Sequence, residues 1–187
     1  MIAIAETKHL TIQEPLLQPF GFKGDYLTEL WQSVSGLRSQ DGALGIGVGV
    51  QSVLWSDDRV FSQYGEHSGN TLMADVTQYA LKLVEYSDFD TPIALINQLF
   101  PEVYSFAKRS VGRTDLRATF VLNALVGLDQ AAWALYSQGK RSDFQELVPE
   151  PYRSVLAGRQ HQLGCIPLVS YNLSEEKIEQ ILQEVGS

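Results

Sequence analysis

His9, His67 and His161 are the side chains whose ordinary pKa lies nearest neutrality, so they are the first candidates for acid or base work. His67, in a polar stretch beside Glu66, is the best placed of them, although a surface His next to a carboxylate is also an ordinary ion pair. Lys8, Lys23, Lys82, Lys108, Lys140 and Lys177 show no Lys-x-Lys spacing. The acids Asp57-Asp58 and Asp88/Asp90 stand in polar segments without a spaced third ligand, the pattern of a solvated loop rather than of a metal site. No G-x-S-x-G elbow is present to expose a nucleophilic serine. The single cysteine, Cys165, has no partner for an internal disulfide. It lies in the apolar run Cys165-Ile-Pro-Leu-Val169 with no base nearby, so it reads as a small buried apolar group. These residues assign no catalytic centre and no metal site to the chain.

Gly45-Ile-Gly47-Val-Gly49-Val50 could cradle a phosphate, but a dinucleotide site needs its glycines at a strand-to-helix turn with the amides facing the pyrophosphate. The spacing here is G-x-G-x-G and the alternation is that of a strand. All three glycines then fall on one face, with Ile46, Val48 and Val50 on the other, and a helix or another backbone can approach the bare face closely.

The elements that position these residues follow from periodicity. Ile2 to Ile12 reads as a strand, and Glu14 to Asp25, with two prolines and two glycines, as a long loop. Leu30 to Leu37 and Leu44 to Trp55 are the next strands, joined through Asp41-Gly42, a strong hairpin signal. Trp55 to Asn70 is polar and reads as a second long connection. Helices are expected over Leu72 to Tyr86 (capped by Asn70 or Thr71), Pro92 to Val111 (Asp90 or Thr91) and Leu116 to Tyr136 (Thr114 or Asp115). Further on, Ile166 to Tyr171 reads as a buried strand, and Ser174 to Gln183 as a last helix. Strands followed by a run of helices define an α+β fold.

With 44% hydrophobic and 19% charged residues in 187, the chain can bury a sizeable core. A formal charge of -8, with no offsetting basic block, opposes attraction to nucleic acid or anionic lipid. The start lacks a basic n-region and a long apolar stretch, and no uninterrupted apolar segment approaches the ~20 residues needed to cross a bilayer. A cytoplasmic location without membrane or nucleic-acid partners is therefore expected.

Leu116 to Tyr136 is apolar around nearly its whole circumference and must be wrapped by other protein. Within it, Ala124 to Leu135 resembles the A-x-x-x-x-D-x-A-x-W-D-L helix of the capping domain in the enolase superfamily, mandelate racemase/muconate-lactonizing branch. Asp129, Ala131, Trp133 and Leu135 match, Ala134 replaces the second acid, and Gly139-Lys140 follows two residues late. Ser154 to Gly158 and Ile166 to Tyr171 resemble the family's L-L-G-G turn and first barrel strand. The resemblance implies an α+β capping domain over 1–140, a three-stranded antiparallel meander packed on a helical bundle. A crossover over 141–163 and the first β/α unit of a truncated TIM-like barrel over 164–187 follow.

The implied chemistry is abstraction of a proton α to a carboxylate by a Lys or His base, with Mg²⁺ holding the enediolate, in a racemase, epimerase or dehydratase. The family carries its base and Mg²⁺ ligands on later barrel strands, so the resemblance implies Mg²⁺ in a full-length enzyme and none in this chain. What transfers is substrate selection by the two capping loops, Gln18 to Asp25 and Trp55 to Asn70. Phe20, Phe22, Trp55, Phe61 and Tyr64 would wall a pocket, and Lys23 or Arg59 would meet a small carboxylate substrate. The aromatics would equally serve to anchor their loops to the helices. Unpaired apolar edges at Ile166 to Tyr171 invite association, and a homo-oligomer is expected. Asp129, four residues before Trp133, is expected to bind backbone amides or a cation of a neighbouring element, so that Asp129→Asn costs stability. A noncatalytic α+β binding or assembly module is the competing class.

Overall fold

The computed structural model describes residues 1–140, 144–156, 170 and 173–185. Strands β1 (Ile2–Phe22), β2 (Asp25–Ser39) and β3 (Leu44–Gln51) form an antiparallel meander. A two-residue strand, β4 (Asp88–Phe89), adds to Ile2 and Ala3 and gives the order β3-β2-β1-β4. The helices are α1 (Val53–Ser56), α2 (Asp58–Val84), α3 (Pro92–Val111), α4 (Ala118–Lys140), α5 (Phe144–Leu147), α6 (Tyr152–Leu156) and α7 (Glu175–Val185). The architecture is α+β as expected, with β4 as an addition to the meander. His161, Cys165 and the expected strand Ile166 to Tyr171, Ser170 excepted, lie outside the described residues.

Both expected loops are regular structure. The first is the end of a long β1/β2 hairpin, closed by Lys23 and Gly24 at φ 53° and 85°, both positive as a two-residue hairpin turn requires. Pro15 and Pro19 are tolerated because β1 has lost its β4 neighbour there, and because the register shifts between Pro15 and Phe20. The second, Trp55 to Asn70, is the end of α1 and the opening of α2. Val60, Phe61 and Tyr64 recur at helical spacing and turn inward, and Gly65, at φ 76°, breaks the helix axis with a conformation that favours glycine. Asn70 lies inside α2 rather than before it, and it caps α1 instead: its Oδ1 accepts the Val53 amide at 2.8 Å. Thr91 does cap α3, accepting the Ala94 amide at 3.1 Å ahead of Pro92.

Helix α4 is long and apolar enough to cross a membrane by length and composition, but it spends its apolar faces on β2, β3, α2 and α3. Phe120, Val121, Ala124, Leu128, Ala131 and Ala132 are fully buried there. The bare glycine face of β3 is what α4 lies on. A Cβ at Gly45 would overlap the Ala131 carbonyl oxygen, one at Gly47 would overlap that of Gly127, and one at Gly49 would come 2.9 Å from the Gly127 amide nitrogen. So close a helix also serves the outer edge of β3. Gln130 Oε1 accepts the Val48 amide at 3.2 Å, and Asn123 Nδ2 and Gln138 Nε2 donate to the Val50 and Leu44 carbonyls, each at 2.9 Å. Three of the backbone groups that would invite another strand are thereby occupied.

Gly47→Ala forces a methyl into backbone atoms that cannot swing aside, and it is expected to cost about 3 kcal/mol in urea unfolding. Gly139→Ala, in the last turn of α4 with nothing within 4 Å, is expected to be neutral or slightly stabilising in the same measurement.

Candidate functional site

The hairpin tip folds over α1. Phe22 stacks on Trp55 with ring centroids 4.1 Å apart and planes 8° from parallel. Lys23 holds the same junction: its Nζ donates to the Leu54 and Trp55 carbonyls, both at 3.3 Å, and lies 5.4 Å from the Phe22 centroid. Behind the tip, the Gly21 amide donates to Ser170 Oγ at 2.7 Å, tying the hairpin to a residue 149 positions later.

Between the hairpin, the end of β3, α1 and α4 lies a cavity of about 730 Å³, walled mainly by Leu16, Phe20, Leu27, Leu30, Trp55 and Leu122. Its few polar groups converge from far apart. Asn123 is the hub, its Oδ1 accepting from the Ser52 amide at 3.1 Å and the Ser56 hydroxyl at 3.0 Å. Glu29 lines the cavity, accepts the Trp31 indole N–H at 2.7 Å and lies 3.5 Å from His67 Nδ1. Gln51 is 1% exposed, and its amide orientation follows from its partner. Thr77 donates its one proton to the Ala124 carbonyl at 2.8 Å and so must accept at 2.7 Å from Gln51 Nε2. That leaves Gln51 Oε1, with Ser52 Oγ, as buried polar atoms without a hydrogen-bond partner among the described residues. An apolar chamber with a few convergent polar groups is the form of a small-molecule site.

Of the seven residues expected to shape the pocket or meet the substrate, Phe20 and Trp55 line this cavity, Phe22 and Lys23 pack against Trp55 at the hairpin tip, and Phe61 packs against the hydrophobic core. Arg59 and Tyr64 are held elsewhere. Arg59 donates to buried Asp57 at 3.0 Å and to Asp115 at 2.7 Å, and the Tyr64 hydroxyl donates to the Val111 carbonyl at 2.8 Å. Arg59 fastens α2 to the segment between α3 and α4, and Tyr64 fastens it to the end of α3. Asp57 corrects the expectation of a solvated loop, since its side chain is fully buried. Burial alone would raise its pKa, but the Arg59 guanidinium and the Arg117 amide, at 2.9 Å, outweigh this and hold it below the usual carboxylate range. Asp58 is likewise paired with Arg117. Among the described residues no three His, Cys, Asp or Glu side chains cluster as metal ligands, so these residues do not fit a Mg²⁺ site.

Sequence reasoning missed Glu29, Gln51, Ser52 and Asn123. Asn123 carried a signal, being a lone amide within an apolar stretch of α4. Asp129 bonds to the Trp133 side chain one turn along its own helix rather than to a neighbouring element. Burial pushes its pKa up, with the Trp133 bond opposing in part.

No protein-family model matches the sequence, and no curated protein matches it. Among solved structures, L-talarate/galactarate dehydratase from Salmonella typhimurium LT2 is similar with a TM-score of 0.52 and 18% identity, over 78% of this chain and 33% of the enzyme. The same enzyme liganded with Mg and L-lyxarohydroxamate gives a TM-score of 0.52 and the same identity and coverage. A mandelate racemase/muconate lactonizing enzyme is similar at 0.50, with 13% identity over 79% of this chain and 34% of its own. These neighbours are enolase-superfamily members, and the α+β architecture here is consistent with their N-terminal capping domain. At such identities the likeness is one of fold, and this chain spans about a third of their length.

Asp57→Asn removes the charge that Arg59 and the Arg117 amide surround. It is expected to cost on the order of 2 kcal/mol, moderated by the solvent exposure of Arg59. Because the folded-state pKa is depressed, the contribution of Asp57 is present above the ordinary carboxylate pKa and is lost as pH falls through the folded value. Denaturant melts of both proteins across acidic pH should therefore converge. For Asp129 the sign is opposite: a raised folded pKa means stability present at low pH and lost as pH rises through that pKa. Asp129→Asn is accordingly expected to leave the melting temperature at neutral pH unchanged or raised, reversing the expectation from sequence.

Proposed function

We propose that this chain is the substrate-capping portion of an enolase-superfamily enzyme, a racemase, epimerase or dehydratase that abstracts a proton α to a carboxylate. Mg²⁺ belongs to the full-length enzyme, and the chain by itself is catalytically incomplete. The observation that carries this reading is the apolar cavity beside the hairpin, to which Phe20 of the first capping segment and Trp55 and Ser56 of the second contribute. The fold likeness to a dehydratase solved with Mg and a hydroxamate supports it.

In this reading Phe20 and Trp55 wall the substrate's body, and Phe22 braces Trp55 from beneath. Lys23 stands beside the cavity against Trp55 and, with two of its three N–H bonds directed to the Leu54 and Trp55 carbonyls, has the third to offer to the substrate carboxylate. Arg59 and Tyr64 act at one remove, by setting where α2 starts. The lining is poor in hydrogen-bonding groups, which favours a carboxylate with an alkyl or aryl body over a polyhydroxylated acid.

Titration with mandelate as probe, followed by tryptophan fluorescence, tests the site. Saturable quenching is expected, weakened about tenfold in Lys23→Met as for loss of one charge-assisted hydrogen bond, and absent in Trp55→Leu. Galactarate is expected to bind more weakly than mandelate. Failure of every carboxylate to bind would favour the noncatalytic module. Metal-dependent α-proton exchange in D₂O by the pure chain would overturn its catalytic incompleteness.

A further inference from the structure

Two adjacent residues of α2 hold the strand that forms one wall of the cavity. Gly65, at φ 76° and ψ 178°, divides α2 in two, so that Glu66 and His67 open its second part. A Cβ at Gly65 would meet nothing within 4 Å, so it is the backbone angles and not the space that require glycine. Glu66 and His67 then reach β2 at a gap in the sheet. Register pairs Glu29 with Pro15 and Leu27 with Phe20, so Leu16 to Pro19 stand opposite the single residue Thr28. On the other side β3 has already ended at Gln51, opposite Trp31, and Thr28 has no partner on either neighbouring strand. Glu66 takes that place. Its Oε1 and Oε2 accept the Thr28 amide at 3.1 and 3.0 Å, Oε2 also accepts the Thr28 hydroxyl, and Oε1 accepts the Glu29 amide at 3.5 Å. His67 sets its ring edge-on to Trp31, centroids 5.1 Å apart, with Nδ1 3.5 Å from Glu29 Oε1.

We propose that Glu66 is a positioning residue for the cavity: its carboxylate replaces the missing ladder partner of Thr28 and so sets how the hairpin tip, Phe20 to Leu27, lies over α1. The tip contributes Phe20 and Leu27 to the cavity wall and carries Phe22 and Lys23 against Trp55. Beyond the irregularity its two strands pair only through Phe20 and Leu27, Gly21 and Tyr26, and Phe22 and Asp25. A two-stranded ribbon of that length does not hold its direction unaided, so the groups that fix its base decide where its end lies. A carboxylate suits the task as a neutral side chain does not, because every group turned toward it is a donor: the Thr28 amide and hydroxyl and the Glu29 amide. A glutamine at this position would bring an NH₂ group against one of those donors. The first helical turn after Gly65 also favours a negative charge. That Glu66 thereby acts on ligand affinity rests on reading the cavity as the substrate site; that it sets the hairpin does not.

Two-dimensional NMR and mandelate titration of the full 187-residue chain, beside Glu66→Ala and Glu66→Gln, test this. In both variants the amides of Phe20 to Leu27 are expected to exchange with D₂O about tenfold faster. The Trp55 indole N–H resonance, assigned by its absence in Trp55→Leu, is expected to move toward its random-coil position. The Trp133 indole and the slowly exchanging amides of α4 should stay as they are. Mandelate is expected to bind about fivefold more weakly, because the hairpin then spends only part of its time in the binding position. Unchanged hairpin exchange and an unmoved Trp55 resonance in Glu66→Ala overturn the proposal, and so does a Glu66→Gln chain that behaves as the wild type. A lower melting temperature with undiminished mandelate affinity is the mark of a merely structural tie and overturns it too. If the wild-type chain binds no carboxylate, the substrate reading fails by itself, and the exchange rates and the Trp55 resonance still decide whether Glu66 sets the hairpin.

Discussion

Three glycines on β3 let α4 lie against the sheet at a separation that no side chain on that strand would allow, and much of the surrounding design follows from the contact. Backbone meets backbone, with Gly45, Gly47 and Gly49 opposed to Gly127 and Ala131. Gly127 in turn faces the Ser33 carbonyl, where a Cβ would sit 2.9 Å away, so the helix nests over β2 as well. At this distance the short arms of Asn123, Gln130 and Gln138 reach the free edge of β3 and take up its Val48 amide and its Val50 and Leu44 carbonyls. Gln51, the first inward residue after the glycines, bridges instead to Thr77 on α2. One close approach thus sets the helix position, protects an edge and sends the apolar side chains of β3 to the opposite face.

The cavity depends on the same placement. Asn123 belongs to α4, yet its partners are Val50, Ser52 and Ser56, so the depth at which the helix sits determines how β3 turns into α1. That turn is locked from the other side by Asn70 at the Val53 amide, and by Asp57, which caps α2 while holding Arg59 and Arg117. The Phe22 ring and the Lys23 ammonium close down on Trp55, itself part of the wall, and hold it in place. Buried polar groups act here as fixings between elements far apart in sequence. Such fixings favour one arrangement over its neighbours, because a displaced element would leave each of them unsatisfied.

The two corrected segments share a physical cause. Local composition marked Glu14 to Asp25 as a loop because prolines and glycines interrupt it, yet a strand with one strand neighbour loses little to a proline, and Lys23-Gly24 needs only two positive φ values to turn back. Trp55 to Asn70 looked irregular because its helix shows water a polar face, and the inward residues Val60, Phe61 and Tyr64 are too few to dominate an average. Asp129 was read as a fixing between elements, but its indole partner is on its own helix, and burial without a cation raises rather than lowers its pKa.

What the sequence determined by itself was set by short-range rules. Alternation placed the three glycines on one face of β3, Asp41-Gly42 marked the turn before it, Thr91-Pro92 opened α3, and an almost wholly apolar helix announced the centre of the core and carried the family resemblance. Each of these is decided by residues within a turn or two of one another. Tertiary structure alone decided the cavity, in which Phe20, Glu29, Gln51, Trp55 and Asn123 meet, and the engagement of Arg59 by Asp57 and Asp115. No local pattern encodes those meetings, because the partners are joined only through the sheet register and the depth at which α4 packs. Whether a polar side chain faces solvent, a ligand or another protein group is settled by that packing rather than by its neighbours along the chain.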